Sequence, residues 1–279
     1  MERADMRFLQ LIRWLTYRKS LIQAARFFHL QGALESVYNR LMRPRSGVSA
    51  ISVEDVEAKF HVDQPGELRI VEVIGSSRGG EHRLIELLFR VSRPGDVFFD
   101  IGASIGTHSI LMAKYLGARG RVIAFEPEPN SYGRFLANIA LNQLSNITVF
   151  PVALGEEEKA GTLRNVEGLG TFTLTSPDGE TGAGAVKIVP GDRLREEKGL
   201  PVPGVVKIDV EGYEYSVLQG LRRTLADPAC RVVCYEHHTH LLPPHLGLKE
   251  FEELMTSMGF VRHEINRRLG GFHLIWYKD

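Results

Sequence analysis

Residues 97–109, VFFDIGASIGTHS, pass from an apolar strand through an acid and two glycines into a helical pattern. Few features constrain a chain more. A strand that breaks at glycine and re-enters a helix N-terminus belongs to an open α/β sheet, with its ligand at the carboxyl edge of the strands. The flanking pattern agrees. Leu84, Leu87, Leu88 and Val91 mark a helix, and Pro94-Gly95 a turn before the strand Val97 to Ile101. Helix 107–116 leads into the strand RVIAFE, and Tyr132, Phe135, Leu136, Ile139 and Ala140 share one face of the next helix. ITVFPVAL, GVVKIDV and RVVCYE supply three more strands. Strands alternating with helices predict an α/β fold with a doubly wound, mostly parallel sheet. Helix LKEFEELMTSMGF follows, and FVRHEIN and FHLIWYK around RRLGG predict a C-terminal antiparallel hairpin.

Two regions stand outside this alternation. Residues 155–198 are rich in Gly and Thr and are expected to form one or two antiparallel strands inserted with loops. Residues 51–75 read as a hairpin, VEAKFHV and ELRIVEVIG around Pro65-Gly66. The division is therefore a helical extension over 1–50 and one domain over 51–279. Within residues 1–45, nine basic side chains face three acidic ones, an excess of six, and apolar residues recur at helical spacing. Such helices over 6–43 either cap the domain or dock on an anionic membrane surface.

Over the whole chain charge is balanced, with Lys plus Arg equal to Asp plus Glu at 34 each, so composition gives no argument for a nucleic-acid partner. The two cysteines, Cys230 and Cys234, would lie about 13 Å apart on a strand, too far for a disulfide. Buried thiols, with no signal-peptide pattern or membrane-length apolar run, make a cytoplasmic protein the expectation.

The glycine spacing selects the ligand. A dinucleotide loop needs G-x-G-x-x-G against a pyrophosphate, whereas Gly102 and Gly106 are spaced G-x-x-x-G and Asp100 ends the strand. A carboxylate there repels a pyrophosphate and suits a cationic ligand. S-adenosylmethionine (SAM) carries an ammonium and a sulfonium, and no phosphate. Asp100 is expected at its methionine end, with Gly102, Ala103, Ser104 and Gly106 forming the loop. Glu126, at the end of RVIAFE, is placed to accept from both ribose hydroxyls before Pro127 turns the chain. Ala153, at the end of ITVFPVAL, is assigned to the same pocket.

The stretch from DVFFDIGASIGTHS through AFEPEPN to GEEE, with VVKIDVEGYEYSVLQG beyond it, resembles the FkbM-type methyltransferases over about residues 78–239. The shared elements are the D-x-G-A-x-x-G loop, the A-F-E-P segment, an asparagine near the end of the next helix (Asn138 or Asn142), and K-I-D-V-E-G. The resemblance implies SAM-dependent O-methylation of a hydroxyl on a sugar, glycolipid, glycan, or glycosylated or polyketide natural product. Two departures bear on the methionine side: Ser104 stands where asparagine is common, and Thr107-His108 replaces a commonly aromatic pair.

The methyl acceptor needs a base. Asp209 and Glu211 follow the fourth strand, and Glu236, His237, His238 and His240 follow the fifth. Asp209, Glu211 and His237 are the expected catalytic residues, His237 as the neutral base. Asp209, Glu236 and His237 holding a divalent metal is the less favoured alternative, because no dedicated ligand spacing is present. Two other functions compete, a nicotinamide-dependent oxidoreductase and a catalytically silent SAM-binding protein at membranes. The glycine spacing disfavours the first, and the acids and histidines after strands four and five disfavour the second.

Overall fold

The computed structural model describes residues 38, 40–64, 66–77, 79–165, 172–175, 184–267 and 272–279. The expectation of amphipathic helices over 6–43 falls almost wholly outside them. No helix among the described residues is long and apolar enough to cross a membrane.

A hairpin, β1 (Val48–Val53) and β2 (Val56–His61), comes first, followed by helices α1 (Glu67–Gly75) and α2 (Gly80–Val91). The expected hairpin is thus displaced: its turn is at Glu54-Asp55, and ELRIVEVIG is a helix rather than the second strand. Leu68, Val71 and Ile74 are the apolar residues it buries, and their spacing of three suits a helical face. Next come β3 (Val97–Ile101), α3 (Thr107–Leu116), β4 (Arg121–Phe125), α4 (Pro129–Leu141) and β5 (Ile147–Phe150). Helix α4 begins on a strong cap, Glu128 accepting from the backbone N–H of Asn130 and Ser131 ahead of Pro129 at the first helical position.

ITVFPVAL is not one strand. It breaks at Pro151, which has no N–H to donate, and β6 (Ala153–Gly155) joins a separate sheet with β7 (Lys159–Asn165), β8 (Phe172–Thr175) and β9 (Ala185–Pro190) in the order β6-β9-β7-β8. The insertion is therefore a four-stranded sheet followed by helix α5 (Gly191–Glu197), larger than the expected one or two strands. Then β10 (Val205–Ile208), α6 (Glu214–Gly220), α7 (Arg222–Ala226), β11 (Val232–His237), α8 (Leu248–Ser257), β12 (Val261–Arg267) and β13 (Phe272–Tyr277) complete the chain.

The main sheet has the order β12-β13-β11-β10-β3-β4-β5, parallel from β11 to β5 and antiparallel at the C-terminal hairpin. Its two faces carry separate cores. One buries Phe98, Leu88, Ile110 and Phe135 beneath the hairpin and α1 to α4. The other buries Phe99, Val206, Leu218 and Phe251 beneath α5 to α8. Cys230 and Cys234 are free and buried, one in each core.

Helix α4 ties the N-terminal hairpin to the β3 loop through two side-chain amides. Asn142 pairs with the Lys59 backbone much as a strand would, accepting from its N–H at 3.0 Å and donating to its carbonyl at 2.6 Å. Asn138 is fully buried, accepts from His61 N–H at 2.9 Å and donates to the Ile105 carbonyl at 2.9 Å. Asn138→Ala removes the side-chain partner of both backbone groups, and is expected to cost about 1–3 kcal/mol per group left buried and unsatisfied. Differential scanning calorimetry should show the loss as a lowered Tm.

Candidate active site

Strand order reverses at β3: β4 and β5 lie to one side and β10 and β11 to the other, which is where open α/β sheets place ligands. The strand ends pack tightly there. Gly102 has φ 79°, and a Cβ on it would fall 1.9 Å from the Asp209 carbonyl oxygen, so the loop after β3 passes β10 only as glycine. Gly106 has φ 85° at the start of α3, and its Cβ would fall 2.0 Å from the Phe135 ring.

A cavity of about 340 Å³ opens above these strand ends. Gly102, Ala103 and Ser104 line it from the β3 loop, Glu126 and Pro127 from the end of β4, Ala153 from β6, and Asp209 and Glu211 from the end of β10. Helix α1 supplies Arg69, Ile70, Val73 and Ile74 as a further wall.

Two expected cofactor residues do not line the cavity. Gly106 does not line the cavity; it lets α4 approach through Phe135. Asp100 is also absent from the lining and fully buried, because its in-strand position turns it toward α3 and β10. Ser109 donates to it at 2.7 Å, and Lys207, its register partner on β10, at 3.3 Å. Lys207 lies 3.6 Å from Asp209 as well. Burial alone would lower the Lys207 pKa, but Asp100 and Asp209 outweigh it and hold the ammonium above its usual range. Asp100 is thus placed to act on the site through Lys207 and the shape of the loop.

Glu126 does face the cavity. Its Oε2 accepts from Ser104 N–H at 2.7 Å and its Oε1 from Glu128 N–H at 2.8 Å, which fixes the carboxylate and leaves each oxygen a further lone pair. Burial pushes its carboxyl up to about 7, against the lowering by those two backbone donors. Ser104, held by this bond, occupies the left-handed region at φ 50°.

His237, the expected base, does not line the cavity. Side chains alternate along β11, and His237 turns with Tyr235 into the second core, where its ring meets Phe251 edge-to-face at 5.0 Å between centroids and lies tilted against Phe272 at 5.1 Å. It is 2% exposed, burial lowers its pKa, and its Nδ1 makes no hydrogen bond. The imidazole that meets the acids is His238. Its Nδ1 lies 2.8 Å from Glu214, and its Nε2 lies 3.1 Å from Glu236, 3.2 Å from Glu211 and 3.9 Å from Asp209. Burial alone would lower its pKa, but the bonds to Glu214 and Glu236 and the charge of Asp209 prevail and raise it to about 11. Glu211, in the left-handed region at φ 50°, has its carboxyl raised to about 7 by burial and by the neighbouring Asp209. The expected metal trio changes accordingly: ligand atoms of Asp209, Glu211 and His238, not Asp209, Glu236 and His237, lie within 4.8 Å of one another.

Sequence reasoning missed three contributors. The α1 wall was read as a strand. His238 is not distinguishable from its neighbours in YEHHTH by sequence. Glu214, three residues beyond Glu211, is fully buried and accepts from Gly212 N–H at 3.1 Å and Val210 N–H at 3.4 Å while holding His238.

The sheet order, the glycine loop and the acid at the end of β4 define a class I, Rossmann-like methyltransferase fold. More particularly, residues 100–264 match the family described as the methyltransferase FkbM domain, and the chain belongs to that family. It is similar to the hexuronic acid methyltransferase AglP of Haloferax volcanii, 32% identical over 150 residues, which cover 52% of this chain and 58% of that protein. It is also similar to methyltransferase 1 of Beauveria bassiana, 28% identical over 149 residues, 46% of this chain and 59% of that one. The chain thus spans less than two thirds of the length of these curated relatives. Among solved structures, the precorrin-6y C5,15-methyltransferase of Geobacter metallireducens aligns with 73% of this chain and 90% of its own at a TM-score of 0.46 and 16% identity.

Proposed function

We propose that the protein is a SAM-dependent O-methyltransferase whose acceptor is a hydroxyl of a sugar or a sugar-bearing molecule. One observation carries this reading: a single cavity has the β3 loop and Glu126 on one side and the Asp209 and Glu211 carboxylates on another. The first side suits adenosine. Glu126 offers two fixed oxygens to the ribose diol, and Ala103, Pro127 and Ala153 give apolar surface nearby. The second side suits an acceptor. Methyl transfer is an in-line displacement on a carbon that the sulfonium already activates, so holding a hydroxyl opposite the sulfur and drawing off its proton are the tasks left to the protein. Asp209 and Glu211 are partly exposed, at 21% and 23%, and sit where the hydroxyl would be held.

A sugar acceptor is favoured by the likeness to a hexuronic acid methyltransferase and by the cavity's polar groups, among which Arg69 adds a cation suited to an acidic sugar. The test is methyl transfer from labelled SAM to an oligosaccharide panel with and without uronic acid, read by mass spectrometry. Methyl on a sugar hydroxyl supports the reading. Label that passes only to non-sugar acceptors would contradict it.

A further inference from the structure

We propose that Asp209, Glu211 and His238 form a divalent-cation site at the acceptor end of the cavity, suited to an ion of the Mn²⁺ type. The proposal rests on reading that end as the acceptor site. Its geometry begins with Glu214. This fully buried carboxylate takes the Nδ1 side of His238 at 2.8 Å and is itself held by backbone N–H groups of Val210 and Gly212. Metal-bound histidines are oriented in this way, one ring nitrogen engaged by a carboxylate and the other turned to the ion. Here Nε2 is turned toward Glu211, Glu236 and Asp209 at 3.2, 3.1 and 3.9 Å.

A bare lone pair facing three carboxylates is repulsive, so Nε2 must hold either a proton or a metal ion. The spacings suit an ion. Donor atoms about 2.2 Å from a common centre are ~3 Å apart when adjacent and ~4.4 Å apart when opposite. The Glu211 contact at 3.2 Å already matches the first value, the Asp209 contact at 3.9 Å falls between the two, and all three ligand atoms lie within 4.8 Å of one another. A purely structural ion pair has no need of solvent, yet Asp209 and Glu211 both reach the cavity wall, where open coordination positions would meet an acceptor hydroxyl. Two carboxylate oxygens with one imidazole nitrogen suit Mn²⁺ better than Mg²⁺, which favours oxygen and water. A cation there would acidify the hydroxyl, a task otherwise left to the carboxylates alone.

The test uses the full chain, stripped with EDTA and titrated with MnCl₂, reading free Mn²⁺ by electron paramagnetic resonance. The wild type should remove a single equivalent from the free signal. His238→Ala and Asp209→Asn should each weaken binding at least tenfold, and Glu214→Gln should do so by about 10- to 100-fold, the usual worth of a group behind a ligand. His237→Ala, on the other face of β11, should bind Mn²⁺ as the wild type does. SAM titration of each variant checks its folding, and Asp209→Asn decides the matter if His238→Ala does not fold. A wild type that binds SAM but no Mn²⁺, or an Asp209→Asn protein with unchanged Mn²⁺ affinity, would overturn the site and leave His238 as a protonated ion-pair partner. Methyl transfer to a sugar in EDTA would in that case still uphold the proposed function. Mn²⁺ binding without SAM binding would keep the site and remove the methyltransferase reading.

Discussion

Glu211→Gln should lower turnover by roughly 10²- to 10⁴-fold, the range for loss of a group that handles the reacting proton, while SAM affinity stays within about twofold. Gln keeps the size and shape of the side chain. It cannot take a proton and is a poor cation ligand, so the substitution strikes the acceptor end whichever way the hydroxyl is activated. The carboxylate is well placed for this, since the left-handed backbone at φ 50° carries it back toward the cavity and toward His238. Single-turnover rates with labelled SAM separate the chemical step from cofactor binding. A near-normal rate in Glu211→Gln would move the chemistry away from the end of β10.

At the other end of the cavity, Glu126→Ala should weaken SAM binding roughly 5- to 150-fold, corresponding to about 1–3 kcal/mol for charged hydrogen bonds. A pH dependence accompanies it. In the free protein burial holds the Glu126 carboxyl at about 7, and under the proposed function only its ionised form would accept from both ribose hydroxyls. Two donors on the carboxylate favour ionisation, so the bound state has the lower pKa. SAM affinity should therefore rise as pH increases through about 7 and level off above it, and binding at pH values below that should release a proton. Calorimetry in buffers of different ionisation enthalpy detects that proton directly. Glu126→Gln should show neither the rise nor the release.

The sheet was legible because its strands are short apolar runs separated by helices of regular spacing, and β3 with α3 could be bounded from the sequence as they are in the structure. The α1 segment was not, since Ile70, Val71, Val73 and Ile74 favour strands by propensity, whereas packing on β1 selects the helical spacing of Leu68, Val71 and Ile74. Pro151 was a visible break within ITVFPVAL, but its consequence, a second sheet, depends on where β9 lies.

In the site, Glu126, Ser104, Asp209 and Glu211 could be placed from strand ends alone. The choice between His237 and His238 could not. Alternation says that neighbours oppose each other, but which of them faces the acids is set by the register of β11 against β10, where Cys234 pairs with Lys207. Asp100 shows the same limit. Being at a strand end places it near a ligand, while its burial against Lys207 and Ser109 comes from partners 107 and 9 residues away in the chain.

The central claim is that this cavity holds the cofactor with its sulfur toward the acceptor residues. A crystal structure of the protein with S-adenosylhomocysteine tests it most directly. The expected result is a ribose diol within hydrogen-bond distance of both Glu126 oxygens, the adenine near Pro127 and Ala153, and the sulfur turned toward Asp209 and Glu211. A ligand seated outside the cavity, or one whose sulfur points away from the end of β10, would contradict the account.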